Sequence, residues 1–146
     1  MRFQQPGFLI LALVAAIPAG SQTPTAARTS EQIIAHHLSA FAANDLEGLL
    51  GDYSDTATVI TPRGTTTGKP ALREMFGRML AGPQPATHLT AKVFTDSVGY
   101  QIGYIVWVQN LGQPNERRGT DSFFILDGKI VAQTAAAIMP TRTPPK

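Results

Sequence analysis

The 146-residue sequence contains no cysteine. A disulfide framework, a thiol nucleophile, a thiolate metal site and lipid attachment through an N-terminal cysteine are therefore excluded. The sequence also has no His, Asp and Glu grouping at metal-ligand spacing and no Gly-x-Ser-x-Gly motif of a serine hydrolase. If this chain is an enzyme, we expect acid and base side chains that work without a metal or a cofactor.

Charged residues are sparse, at 15% of the chain, and the two signs nearly balance, with 12 Lys and Arg against 10 Asp and Glu. Arg117 and Arg118 form the only adjacent basic pair. Nucleic-acid sites require a basic stripe or patch, often with interleaved aromatic residues. Nucleic acid is therefore not expected as a partner.

The sequence lacks an apolar run long enough to span a membrane as a helix, which takes about 20 residues. Its clearest apolar run extends from Phe8 to Ile17, after Arg2 and before the small residues Ala19 to Ser21. This order is typical of a secretory signal peptide, with an uncleaved anchor as the alternative. We predict a signal peptide at residues 1–21, cleaved after Ala19 or Ser21, an exported protein, and no membrane attachment after cleavage.

Residues 22–29 and 139–146 are rich in proline and threonine and poor in apolar residues. Both segments are predicted to be disordered. One domain remains at residues 30–138. Without disulfides, it must be stabilised by its core.

Apolar residues at helical spacing predict helices at 29–43, 46–53 and 70–81, the first of them capped by Thr29 or Ser30. The third helix is expected to pack through Leu72, Met75, Phe76, Met79 and Leu80. Alternating, β-branched segments predict strands at 56–62, 65–67, 87–95, 100–109, 118–126 and 129–138. Helices followed by an antiparallel meander indicate an α+β domain, with a pocket between the helices and a curved sheet.

The segment Pro62 to Pro70, PRGTTTGKP, superficially resembles a phosphate-binding loop. Such a loop has four residues between its glycines and a Ser or Thr after the lysine, whereas this segment has three residues and Pro70. We interpret Arg63-Gly64 as a tight turn, the threonines as a return strand, and Gly68 to Pro70 as the start of a helix.

Two polar residues lie on apolar faces. Asp121 alternates with Phe123 and Ile125 along its strand, so it is either solvated near the strand end or buried with a raised pKa. His37 shares a helical stripe with Ile33 and Ile34, as either a hydrogen-bonded core residue or a catalyst. Together they form a candidate polar pair inside an apolar cavity.

Two further residues have open roles. Trp107 either floors the pocket or anchors the core. Gln133 interrupts the last strand, as either a polar group of the pocket or a satisfied amide.

Two long segments carry a family resemblance: FAANDLEGLLGDYSDTATVITPRGTTTGKPALREMF and RGTDSFFILDGKIVAQT. They resemble the nuclear transport factor two-like superfamily, especially its SnoaL-like and ketosteroid isomerase-like bacterial members, over residues 31–137. The resemblance implies a cone-shaped, cystatin-like α+β fold in which three N-terminal helices pack on a curved antiparallel sheet. It also implies an enclosed apolar cavity and homodimerisation through the outer sheet face.

Ketosteroid isomerases carry a tyrosine, an aspartate base and a neutral aspartic acid at positions that fall on His37, Thr61 and Asp121. Only Asp121 is retained, and Thr61 cannot accept a proton from carbon near neutral pH. Cyclases of the superfamily also have an acidic residue near the Asp121 position. We therefore predict Asp121 and His37 as catalytic residues, and a substrate-binding set of Tyr53, Thr61, Phe76, Trp107, Phe123 and Gln133.

Two functions follow as hypotheses. In the first, the domain binds a small hydrophobic carbonyl compound, polyketide-like or steroid-like, and acts as an isomerase, cyclase or hydrolase by acid and base catalysis. In the second, it is a non-catalytic ligand-binding or homodimeric scaffold domain whose cavity is filled by its own side chains.

Overall fold

Residues 28–138 are described by a computed structural model. The predicted signal peptide, the C-terminal tail and most of the predicted linker lie outside these residues. The last two linker residues are described: Thr29 caps the first helix, and Arg28 pairs with Asp52.

The helices are α1 (Ser30–Ala42), α2 (Leu46–Gly51) and α3 (Lys69–Met79). α1 begins with the expected capping box, in which the Thr29 hydroxyl accepts from the Gln32 backbone N–H and the Gln32 side chain accepts from the Thr29 N–H. Local side-chain hydrogen bonds of this kind satisfy backbone donors that have no partner within the helix.

Six strands form one sheet in the order β2-β1-β6-β5-β4-β3. Their bounds are β1 (Tyr53–Thr61), β2 (Gly64–Thr67), β3 (Thr87–Ser97), β4 (Tyr100–Gln109), β5 (Arg117–Leu126) and β6 (Lys129–Ile138). The segment PRGTTTGKP has the predicted structure: β1 and β2 are a hairpin, and Pro70 lies in the first turn of α3.

The expectation of a purely antiparallel sheet is wrong, because β1 and β6 pair in parallel and the sheet is mixed. Hairpin signals in the sequence report only strands that are neighbours along the chain. β1 and β6 are separated by most of the domain, so no turn residue records their relative direction.

Two local predictions are also wrong. Tyr53, predicted on the second helix, begins β1, because α2 ends at Gly51 and Asp52 is its C-cap. Met79, predicted in the core, is 51% exposed at the last position of α3. Element ends are the hardest part of a periodicity argument, since one residue more or less turns a side chain away from the core.

α1 packs on one face of the sheet, called here the inner face, at the point where β4 has Gly103. A Cβ atom at Gly103 would lie 2.0 Å from the Ile34 side chain, so the glycine allows the helix to approach the strand closely. The buried core lies between this face and the three helices and includes Leu49, Leu72 and Ile105.

Candidate functional site

Asp121 lies on the inner face of β5, between longer polar side chains of the two neighbouring strands. Its carboxylate accepts hydrogen bonds from Trp107 Nε1 on β4, at 3.1 Å, and from Gln133 Nε2 on β6, at 3.0 Å. Ile105 on β4 and Ala135 on β6 lie directly opposite Asp121, and each donor is two residues away along its strand. Long side chains can reach across such a diagonal. Asp121 is therefore held from both sides.

The hydrogen-bonding partners of Asp121 are neutral, and no ion pair within residues 28–138 includes it. Burial raises the pKa of Asp121, while the hydrogen bonds from Trp107 and Gln133 act in the opposite direction. Of the two sequence alternatives, a solvated carboxyl and a carboxyl with a raised pKa, the structure has the second.

Gln133 extends the network to Tyr53. Its side-chain oxygen accepts a hydrogen bond from the Tyr53 hydroxyl, while its amide nitrogen donates to Asp121. Gln133 and Tyr53 are both buried. Burial, followed by the charges of Asp121 and Asp52, raises the pKa of Tyr53 well above its usual value, so its hydroxyl keeps its proton. Gln133 is thus a satisfied amide that connects two candidate residues.

His37 is buried on α1 and packs edge-on against the rings of Tyr53, at a centroid distance of 5.6 Å, and Phe123, at 5.2 Å. Its Nδ1 is buried without a hydrogen-bond partner. Burial lowers the pKa of His37 to about 4; Asp52 acts against this shift and His36 adds to it. The imidazole is therefore neutral near pH 7. Among the described residues no hydrogen bond joins His37 to Asp121. Tyr53, which packs against the His37 ring, reaches Asp121 through Gln133.

The remaining predicted site residues divide into two groups. Phe76 of α3 joins the aromatic cluster, with its ring centroid 5.5 Å from that of Tyr53. Thr61 does not join it: its hydroxyl donates to the Gly64 carbonyl and accepts from the Arg63 N–H in the β1–β2 turn.

Gly119 is a contributor that the sequence analysis did not identify. It lies directly opposite Trp107, and a Cβ atom there would come within 2.3 Å of the indole ring and 2.5 Å of the Ala136 carbonyl oxygen. The missing side chain lets the indole lie across β5 and reach Asp121. A glycine inside a strand pattern often marks such a close approach, so the sequence did contain a signal.

The sequence analysis also missed a charged cluster around Asp52. The Asp52 carboxylate, 1% exposed, accepts from Arg28 Nη2 at 2.9 Å and bonds to His36 Nδ1 at 2.7 Å. Its three members are distant in sequence and lie on no common periodic pattern. We find no sequence signal that would have identified this cluster.

Two features are absent from residues 28–138, namely a membrane-spanning helix and a cluster of metal ligands. No helix there combines the length and the apolar character that crossing a bilayer requires. Nor does this part of the chain bring three or more His, Asp or Glu side chains together in a way that could hold a metal ion.

Comparison with known proteins gave structural matches only. A scan against protein-family models and a search of curated proteins found no match. A ketosteroid isomerase-like protein from Erwinia carotovora atroseptica superposes with a TM-score of 0.63 at 17% identity, over 75% of this chain and 94% of that one. A cystatin-like-fold protein of unknown function from Nostoc punctiforme gives 0.57 at 16% identity, over 78% and 90%.

A protein from Xanthomonas campestris that has been proposed to be a polyketide cyclase gives a TM-score of 0.53 at 18% identity, over 71% of this chain and 86% of that one. This chain has the nuclear transport factor two-like fold. The resemblance in the sequence analysis is confirmed at the level of fold, with the sheet corrected from antiparallel to mixed. Identities below 20% carry no activity from one protein to another.

Proposed function

We propose that this protein is an exported domain that binds a small hydrophobic carbonyl compound, polyketide-like or steroid-like, between its helices and the inner face of its sheet. The observation that carries the proposal is Asp121, a carboxyl with neutral partners and a raised pKa on the sheet face that also carries the apolar core. Perturbed carboxyls of this kind are typical of general bases, which work best when their pKa is close to the operating pH.

In this proposal Asp121 accepts a proton from a carbon or hydroxyl group next to the carbonyl. His37, neutral near pH 7, is placed among aromatic rings where a hydrogen bond to the developing oxyanion would be little weakened by water. The chemistry requires neither metal nor cofactor. Neighbours described as ketosteroid isomerase-like and as polyketide cyclases support the carbonyl class of ligand.

A non-catalytic domain with a filled core is the second candidate, and one observation favours it. Tyr53, Phe76 and Phe123 are at most 3% exposed and occupy the space beneath α1 and α3. Two open clefts lie elsewhere on the described surface. The larger, about 620 Å³, is bounded by Asp55, Lys69, Pro70, Arg73 and Glu74.

Native mass spectrometry of the mature protein, purified from its source compartment, separates the two candidates. A small molecule retained under gentle conditions and lost on denaturation would identify the ligand class. Progesterone and 2-naphthol serve as added probes, and fluorescence of Trp107, the only tryptophan, reports their binding beside Asp121. A ligand-free mass, with no change in fluorescence or melting temperature at saturating probe, would favour the filled core.

If turnover is found, its pH profile tests the catalytic assignment. Loss of activity in both Asp121→Asn and His37→Ala, with both proteins folded, supports acid and base roles. Turnover at the wild-type level in both variants would exclude this site.

We also propose that the outer sheet face, opposite α1, joins two copies of the chain. Five large apolar side chains on it are more than a third exposed: Val93, Tyr100, Ile102, Tyr104 and Phe124. The central outer-face residues carry no charge: Ala91, Val93, Thr95, Ser97, Tyr100, Ile102, Tyr104, Val106, Thr120, Ser122, Phe124, Ala132, Thr134 and Ala136. In a two-fold dimer the same face of both copies meets, and residues near the axis approach their own copies, so an uncharged face avoids repulsion between like charges.

Sedimentation velocity tests this interface. Tyr104→Lys places like charges near each other and should give monomers, whereas Val98→Lys, in the exposed β3–β4 turn, should leave a dimer intact. A wild-type protein that is monomeric at high micromolar concentration would refute the proposal.

A further inference from the structure

The hydrogen bonds around Asp121 form one chain with a defined direction. It leads from the Tyr53 hydroxyl to the Gln133 side-chain oxygen, then from the Gln133 amide nitrogen to Asp121 Oδ2. A second arm leads from Trp107 Nε1 to Asp121 Oδ1. Both arms end on the same carboxylate.

The chemistry of the donors fixes this direction. An indole N–H can only donate, so Trp107 requires Oδ1 to be an acceptor. An amide can donate only through its nitrogen, so a Gln133 that donates to Oδ2 must turn its oxygen toward Tyr53. Because the Tyr53 hydroxyl keeps its proton, it can supply the hydrogen bond which that oxygen accepts.

We propose that Tyr53, Gln133 and Trp107 are positioning residues that hold Asp121 as a hydrogen-bond acceptor through both carboxylate oxygens. This inference rests on the proposed function and sharpens it. A proton on Oδ2 facing Gln133 would require the amide to turn over and the Tyr53 hydroxyl to rotate. The free lone pairs of the carboxylate therefore remain as the places where a proton can be accepted.

The arrangement also selects the ligand. A group that meets the ionised Asp121 must offer hydrogen, as a hydroxyl, an enol, an N–H or an acidic C–H bond beside a carbonyl. A ligand that presents only a carbonyl oxygen or an ether there would place two acceptors against each other, which is unfavourable in a partly buried site. The structure thus favours a hydroxylated or enolisable compound over a plain ketone or ether without α-hydrogens.

Titration of Asp121 by NMR tests the positioning role without any ligand. The side-chain carboxyl signal, assigned by its loss in Asp121→Asn, is followed with pH. The indole N–H signal of Trp107 should move with the same midpoint and lose that response in Asp121→Asn. Because Trp107 is the only tryptophan, its signal needs no further assignment.

Removing one donor at a time gives the decisive comparison. Benzothienylalanine, incorporated in place of tryptophan, keeps the shape of Trp107 but has sulfur instead of N–H. It should raise the Asp121 midpoint by about one pH unit, a tenfold change in proton affinity. Gln133→Met should give a similar rise. Tyr53→Phe should raise the Asp121 midpoint by less, because it keeps the Gln133 donor and only removes the hydroxyl that fixes the orientation of the Gln133 amide.

4-Fluorotryptophan, which keeps the N–H, is the matched control and should leave the midpoint close to wild type. Residues with a purely packing role would alter stability but not the midpoint. Unchanged midpoints in benzothienylalanine-labelled protein and Gln133→Met, both folded by NMR, would overturn the inference. This result is independent of whether any ligand or turnover is found, so it is distinguishable from failure of the proposed function.

Discussion

Two carboxylates of this domain are removed from solvent in different ways. Asp52 is 1% exposed and is bonded to Arg28 and His36, two side chains that carry or can carry positive charge. Asp121 receives only neutral N–H donors, and burial raises its pKa. A carboxylate held by cationic partners joins the segments that carry them, whereas a carboxylate with neutral partners and a raised pKa can change its protonation state at modest cost. The difference supports the proposal that Asp121, and not Asp52, is the group that transfers a proton.

The largest expected effect separates these roles. The double variant Arg28→Ala, His36→Ala leaves the Asp52 carboxylate buried without a cation. Asp52 is 1% exposed, whereas Arg28 and His36 are 40% and 52% exposed, so the cost should lie near the lower end of the range for buried ion pairs, about 3.5 kcal/mol. Asp121→Asn should cost about 1 kcal/mol, because Asn keeps the shape but the Gln133 amide and the Tyr53 hydroxyl must both turn to match its N–H. Urea unfolding followed by circular dichroism measures both changes.

Arg73→Ala provides the control for the general loss of a cation. Arg73 pairs with Glu47 on the exposed surface, so its removal should cost less than about 1 kcal/mol. If the double variant costs no more than Arg73→Ala, the Asp52 cluster is not a structural anchor, and the contrast with Asp121 does not hold.

The sequence predicted the fold well because its signals are local. The capping box at Thr29, the turn at Arg63-Gly64 and the alternation in β5 each depend on residues within a few positions of one another. The parallel pairing of β1 with β6 is set by the whole chain and left no local signal. Tyr53 was misplaced for a related reason, since helical spacing continues past the true end of α2.

The sequence singled out candidate site residues but not the contacts between them. Asp121 and His37 stood out as polar groups on apolar faces, which periodicity can reveal. The contact of Gln133 with Tyr53 depends on the β1–β6 pairing, which periodicity cannot reveal. The Asp52 cluster combines three elements without a shared pattern, so only the folded structure brings it together.

The second-largest effect concerns His37, which lies beside the Asp121 network and whose pKa is lowered by burial and raised by the charge of Asp52. Its pKa is about 4 in the folded protein and about 6.5 when solvent-exposed. As pH falls below 6.5 the unfolded chain binds a proton that the folded protein refuses, so stability falls until about pH 4. The loss attributable to His37 is about 3 kcal/mol. Unfolding curves between pH 7 and pH 4 measure it.

His37→Phe should flatten this slope, since phenylalanine fits among the rings of Tyr53 and Phe123. The exposed His88→Ala should leave the slope unchanged. The raised pKa of Asp121 gives a contribution of opposite sign, because the folded state binds the Asp121 proton more tightly than the unfolded chain does and stability therefore falls as pH rises. The measurement is best made in the Asp121→Asn variant, which lacks this contribution. An equal acid slope with and without His37 would contradict the assignment.

The smallest expected effect tests how the neutral donor reaches Asp121. Gly119→Ala inserts a methyl group where the Trp107 ring and the Ala136 carbonyl oxygen lie 2.3 Å and 2.5 Å away. Overpacking of this kind costs about 2 kcal/mol, and it should also displace the indole and weaken its hydrogen bond to Asp121. Gly82→Ala, with no heavy atom within 4 Å, is the matched control and should be close to neutral. Because Asp52 is held by other elements, Gly119→Ala should alter the Trp107 fluorescence and the Asp121 titration without changing the Arg28 and His36 contacts. A Gly119→Ala protein with wild-type stability and fluorescence would show that the indole does not depend on this glycine.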